Sequence, residues 1–167
     1  MTLQTGGMLK YGPIAGANQD FRIPAPIGAS ETFRLKSGRF VTNDGSGRME
    51  VADDGDTLLA GWLDPDDGDG DSSATEGASK GGFLPAPAAL GVVFRIPVVA
   101  GTYAATMLGK TTDLARATVG GTTLIQGAKL DGSGEDNLII VGGDVDNNEW
   151  VDVMINPSKL TGYTGVV

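Results

Sequence analysis

Gly38-Arg39-Phe40-Val41-Thr42-Asn43-Asp44-Gly45-Ser46-Gly47-Arg48-Met49-Glu50-Val51-Ala52 decides the fold. Arg39 to Thr42 reads as a short strand. Asn43 to Gly47 is a turn, because Asp-Gly supplies the positive φ that tight hairpins require. Arg48 to Ala52 returns as a strand carrying Met49 and Val51. Asp53-Asp54-Gly55 turns again into Thr57 to Leu63, a continuous apolar run that predicts a strand buried on both faces. Strands at spacings of roughly 8–12 residues with turn signals between them predict a small barrel or sandwich.

Working outward, one tetrapeptide occurs twice, as Phe21-Arg22-Ile23-Pro24 and Phe94-Arg95-Ile96-Pro97. Each copy is followed by short apolar strands broken by Asp/Gly turns. Asp56-Thr57-Leu58-Leu59 through Asp64 also aligns with Asp136-Asn137-Leu138-Ile139 through Asp144. The expected fold is therefore all-β, a small β-barrel or sandwich built from two tandem related halves with extended N- and C-terminal arms. Residues 1–18 are read as an N-terminal arm and 19–64 as the first β repeat. Residues 65–82 form an acidic, Gly/Ser-rich loop or linker, 83–155 the second β repeat, and 156–167 a C-terminal arm. Each Phe-Arg-Ile-Pro predicts the opening strand of its half, with proline at a sheet edge or strand end and arginine on the outer face.

In the second half, Phe83 to Leu90 is expected to be extended. Thr102 to Leu108 reads as a strand or one helical turn around Ala104 and Ala105. Thr112 to Arg116 is the best candidate for a short helix, capped by Thr112 or Asp113. Leu138 to Val141 is the best core strand by sequence. Glu149 to Ile155 alternates, with Val151, Val153 and Ile155 on one face and Trp150, Asp152 and Met154 on the other.

Composition narrows the chemistry. The 27 glycines in 167 residues disfavour helix. A formal charge of −9 argues against nucleic acid as partner, because phosphate binding needs Lys and Arg. It argues equally against an anionic membrane surface. There is no cysteine and no histidine, which removes disulfides, thiol nucleophiles, Ser-His-Asp triads and ordinary zinc sites. No apolar run reaches the ~18 residues of a membrane span, and Met1 to Lys10 has no secretory pattern.

Few constellations remain. Asp67, Asp69 and Asp71 have the D-x-D-x-D spacing of a calcium loop, as do Asp144, Asp146 and Asn148. Both lack the glycine at the sixth position, and Ala78 stands where the first run would need its twelfth-position Glu. Solvated turns are the simpler account. Glu31, Glu50, Glu76, Glu135 and Glu149 are the glutamates available for a carboxylate-only hydrolase, but none sits beside an aromatic cluster. No cofactor and no enzymatic activity are expected. The arms carry Met8, Leu9, Tyr11 and Tyr163, side chains suited to lying in a neighbour's groove or adding a strand to its sheet.

The segment Gly38 to Gly47, the following Val51-Ala52-Asp53-Asp54-Gly55-Asp56 and Leu59-Ala60-Gly61 resemble the head decoration (cement) proteins of tailed bacteriophages. So does the small, acidic, Cys- and His-free composition. The resemblance covers mainly residues 33–64 and 114–155. It implies a protein on the capsid exterior, assembled in the host cytoplasm, that clamps the major capsid protein as a homo-oligomer (trimer or dimer) without an active site. Met8, Leu9, Tyr11, Arg22, Arg95 and Tyr163 are the expected partner-interface residues. A carbohydrate- or host-surface-binding β module is the alternative, and a carboxylate-only hydrolase a remote one.

Overall fold

The computed structural model describes residues 11–16, 22–28, 31–32, 38–64, 73–74, 77–78, 82–119, 123–132 and 134–160. In chain order, the first strands are β1 (Gly12–Ala15), β2 (Pro26–Ile27), β3 (Glu31–Thr32), β4 (Arg39–Asn43), β5 (Met49–Val51) and β6 (Gly61–Leu63). Then come β7 (Ser73–Ala74), β8 (Gly77–Ala78), β9 (Phe83–Pro85) and the one-turn helix α1 (Ala86–Ala89). The second half supplies β10 (Val93–Ala100), β11 (Thr111–Val119), β12 (Thr123–Lys129), β13 (Leu138–Gly143) and β14 (Trp150–Ile155). The fold is all-β, as the alternation and glycine content predict.

Apart from β3 and β7, which pair with each other, the strands form two curled sheets. One runs β8-β2-β5-β4-β6-β9 and the other β1-β10-β12-β11-β13-β14, with β14 returning to pair with β10. The second sheet therefore contains a closed ring of five strands. The first closes in the same way, because Ile23, three residues before β2, exchanges backbone hydrogen bonds with Phe83 of β9 at 2.9 and 3.0 Å.

The two rings share one circuit. In each, the segment that begins at Phe-Arg-Ile-Pro pairs antiparallel with the last strand of its ring: Ile23 with Phe83, and Ile96 with Val151. Further along, the same segment pairs parallel with the third strand: Ile27 with Met49, and Val98 with Ala128. The second and third strands form a hairpin, and the second also pairs with the fourth. The tandem halves read from sequence are thus repeated in strand order and strand direction. The first ring takes its last strand, β9, from residues that the sequence assigns to the second repeat.

Side-chain alternation fills each ring. Ala25, Ile27, Val41, Val51, Leu63 and Phe83 line the first. Phe94, Ile96, Val98, Leu138, Ile140, Val151, Val153 and Ile155 lie on the inner side of the second. The opposite face of the first sheet is buried as well. Phe40, Trp62 and Leu84 stand abreast across β4, β6 and β9, and they join the second ring's core. Phe40 lies edge-on to both Trp62 and Phe94, with ring centroids 4.9 Å apart in each case. Such edge-to-face contacts contribute about 0.5–1.5 kcal/mol beyond area burial.

Several expectations need correction. Thr112 to Arg116 is not helical: it lies within β11, paired with β13 at Thr112 and with β12 from Asp113 onward. Two-sided pairing outweighs a weak local cap signal, and residues 112–115 are buried on both faces. Phe83 to Leu90 is extended only as far as Pro85. Ala86–Ala89 then forms the α1 turn, with Pro87 at a first-turn position where its missing N–H is not needed. Thr57 to Leu63 is strand only at Gly61–Leu63, with Leu59 in a separate bridge to Leu160. Thr102 to Leu108 is a 3₁₀ turn at Ala105–Met107.

Pro97 sits inside β10 rather than at its end. Val98 N–H donates to the Glu149 carbonyl on the β14 side, so by backbone alternation the Pro97 nitrogen faces the other edge. There the pairing with β1 has ended at Arg95 and that with β12 begins at Val98. No donor is required at that gap.

Candidate functional site

Each arm is tied down where it meets the fold. β1 adds itself antiparallel to β10, with Gly12 opposite Arg95 and Pro13 opposite Phe94. The strand addition expected of the N-terminal arm therefore occurs within the chain for residues 12–15. At the other end, Leu160 is core: it is 1% exposed, and Leu59 N–H donates to the Lys159 carbonyl at 2.7 Å. Met8, Leu9 and Tyr163 lie outside the described residues.

Of the expected interface residues, Arg22 and Arg95 are each ion-paired within the chain. Arg22 Nη1 lies 3.4 Å from Asp64 Oδ2. Arg95 makes a two-pronged contact with Asp152, Nε to Oδ1 at 2.8 Å and Nη2 to Oδ2 at 2.9 Å. Its guanidinium also stacks 3.7 Å from the Trp150 ring centroid. Tyr11 is half-buried on the same side. Burial chiefly, and then the charge of Glu149, push its hydroxyl pKa up, while Arg95 pulls it down.

The acidic turns are used structurally. Asp144 Oδ1 accepts from the backbone N–H groups of Asp146 and Asn147 at 3.1 and 3.2 Å, and Oδ2 accepts from Glu149 N–H at 3.4 Å. Desolvation alone would raise the Asp144 pKa, but these bonds outweigh it and hold the carboxyl below its usual value. Asn148 Oδ1 accepts from Tyr103 N–H at 2.6 Å, and its amide donates to Gly101 O at 3.0 Å. In the first half Asp44 accepts from Ser46 and Arg48 N–H groups at 2.7 and 3.0 Å, and those bonds lower its pKa. The D-x-D-x-N spacing at 144–148 is a turn motif. Asp67, Asp69 and Asp71 lie outside the described residues, and among the described residues no three His, Cys, Asp or Glu side chains are placed to hold a metal ion.

The glutamates divide in the same way. Glu31 Oε2 accepts from Val51 N–H at 2.9 Å. Glu50 is held above its usual pKa by desolvation first and then by the charges of Asp56 and Glu31. Asp113, 1% exposed, accepts from Glu135 and Asp136 N–H groups at 3.1 and 2.8 Å. Trp150, the only tryptophan not fully buried, has one ring face covered by Arg95, which leaves a poor platform for a sugar. Glu76 lies outside the described residues.

A polar seam between the rings was not read from the sequence. Gln126 of β12 is 6% exposed. Its Oε1 accepts from Phe40 N–H at 2.8 Å, and its Nε2 donates to the Phe40 and Ala52 carbonyls at 2.9 and 2.7 Å. Asn137 accepts from Leu114 N–H at 3.3 Å and donates to the Asp56 carbonyl at 2.7 Å. Arg116 N–H donates to Asp53 Oδ1 at 3.0 Å, and its side chain reaches the Val51 carbonyl. Arg116 Nε lies 3.2 Å from Asp53 Oδ2 but out of line for a hydrogen bond. Lys129 Nζ meets Asp54 at 2.7 Å. A lone buried Gln carries no sequence signal for this task. Only the pairing of the halves reveals it.

The fold and its polar groups define an all-β chain of two like rings, clamped together by side chain-to-backbone bonds. No family model, no curated protein and no solved structure matches the chain.

Proposed function

We propose that the chain is a structural virion protein that binds the outer surface of an assembled phage capsid and stabilises it. The observation that carries this reading is how its polar groups are spent. Asp44, Asp113, Asp144, Glu31, Asn137 and Gln126 are bonded to main-chain groups of turns and ring junctions. A chain whose polar groups mostly hold its own backbone works through shape and surface rather than chemistry. The hairpin Gly38 to Val51, which carries the resemblance to decoration proteins, forms as a β4–β5 pair.

In this reading the major capsid protein is the partner and the chain acts as a homo-oligomer on the virion exterior. Many copies each make modest contacts, and avidity supplies the rest. An acidic surface, −9 per chain, keeps a decorated shell from adhering to nucleic acid. No active site and no cofactor are assigned. The test is co-sedimentation with empty shells of the phage that encodes the chain. Saturable binding at a fixed ratio to coat subunits is expected. Free protein left in the supernatant at every concentration would exclude the proposal.

A further inference from the structure

Asp–Gly bonds occur in the chain at Asp44, Asp54, Asp67, Asp69 and Asp131. This dipeptide rearranges readily, because the glycine nitrogen can attack the aspartate Cγ and close a five-membered succinimide. Glycine has no side chain to hinder that approach. A fold slows the closure where the glycine N–H is already bonded or the glycine is packed in place, and leaves it fast where the turn is loose. Asp67 and Asp69 lie outside the described residues. The other three sites differ sharply. Gly45 N–H donates to Asn43 Oδ1 at 2.9 Å, while Asp44 Oδ1 accepts from Ser46 and Arg48 N–H groups. Gly132 N–H donates to the Lys129 carbonyl at 3.2 Å, and its α-carbon lies so close to the Asp113 carboxylate that a Cβ would overlap it. Gly55 has neither restraint. An added Cβ there would meet nothing within 4 Å, and among the described residues its N–H has no hydrogen-bond partner. The Asp54 side chain beside it is 49% exposed, with Lys129 Nζ on one carboxylate oxygen at 2.7 Å.

We propose that Asp54 is a site of spontaneous isomerisation, which this fold leaves open while it protects Asp44 and Asp131. Gly55 N bonds to Asp54 Cγ, and the carboxyl hydroxyl leaves with the amide proton as water. Water then reopens the ring. Cleavage at the Cγ–N bond restores aspartate, whereas cleavage between the nitrogen and the α-carbonyl carbon gives isoaspartate. In isoaspartate the main chain runs through the former side-chain carbon, and the pendent carboxylate sits directly on Cα, one carbon shorter. Asp54 and Lys129 belong to different rings, Asp54 to the turn between β5 and β6 and Lys129 to the end of β12. The rearrangement therefore removes one charged tie of the seam between the rings and marks older molecules at that seam. Nothing in this chemistry depends on the capsid reading.

The experiment is to hold the full folded chain at neutral pH and physiological temperature for several weeks. Peptides are then mapped by electron-transfer fragmentation, which distinguishes isoaspartate from aspartate. Isoaspartate is expected to accumulate at Asp54 at least fivefold faster than at Asp44 or Asp131. In denaturant the three sites should react at similar rates, because all are Asp–Gly and only the fold separates them. Asp54→Glu keeps the charge opposite Lys129 but cannot close a five-membered ring, so the signal from that peptide should disappear. Isoaspartate appearing at Asp44 or Asp131 as fast as at Asp54 in the folded chain overturns the inference. So does a ranking that is the same in folded and denatured protein, since local sequence then sets it. A signal that persists in Asp54→Glu overturns the assignment to Asp54.

Discussion

Gln126 holds both main-chain groups of Phe40, accepting its N–H at 2.8 Å and donating to its carbonyl at 2.9 Å. The carboxamide thus acts as a one-residue strand between rings, and a third bond reaches Ala52. Gln126→Ala leaves the Phe40 N–H and the Ala52 carbonyl without this partner, at about 1–3 kcal/mol each before relaxation, while the Phe40 carbonyl keeps the Ala52 N–H at 3.0 Å. We expect a net loss of about 3 kcal/mol, which lowers the Tm by about 10 °C for a chain of this length. Scanning calorimetry measures it.

Gly38 lies against the Trp62 indole, and an added Cβ would sit 2.6 Å from the Leu63 carbonyl oxygen. Gly45 has φ +81° and open space around it. Gly38→Ala should cost about 3 kcal/mol through steric displacement. Gly45→Ala should cost only about 1–2 kcal/mol, from the left-handed backbone alone. Urea melts of the two variants separate packing from conformation. Equal midpoints would contradict the tight Gly38–Trp62 contact.

The Arg95–Asp152 bridge is partly exposed, with side-chain accessibilities of 26% and 16%. Its bidentate geometry and the stacking on Trp150 place its coupling at about 1 kcal/mol. A double-mutant cycle of Arg95→Ala and Asp152→Ala measures this, and the coupling should shrink in about 1 M salt.

Two carboxylates make opposite contributions to the pH dependence. The depressed pKa of Asp144 stabilises the fold at pH values above the unfolded carboxylate pKa, and this is lost as pH falls through the folded value. The raised pKa of Glu50 gives a penalty that is absent below the unfolded pKa and complete above the folded one. Asp144→Ala should therefore lower the Tm at pH 7, and Glu50→Gln should raise it. The Glu50→Gln difference should close once pH falls below the unfolded carboxylate pKa, and the Asp144→Ala difference should narrow only at lower pH, through the depressed folded value, as fluorescence-monitored melts across acid pH would record.

The residues explain which parts of this were legible. Alternation at Trp150 to Ile155 and the Asp-Gly turn after Asn43 each fix local geometry, so strand positions and the repeat followed from the sequence. Thr112 to Arg116 misled because a capping residue ahead of Leu and Ala has the same local preference in a strand edge as in a helix. Only pairing with β12 and β13, formed at long range, decides between them. The ring-to-ring seam was hidden for a related reason. Gln126, Arg116 and Asn137 are ordinary surface types, and burial opposite the first ring gives them their role. Arg22 and Arg95 read as outward contacts, but the sequence holds no sign that Asp64 and Asp152 sit within reach.

Capsid stabilisation is the proposed role of this chain. Calorimetry of empty shells of the encoding phage, titrated with purified protein, tests it most directly. The account predicts that the shell disruption temperature rises with added protein and levels off at a fixed stoichiometry. A disruption temperature that does not move at saturating protein would contradict it.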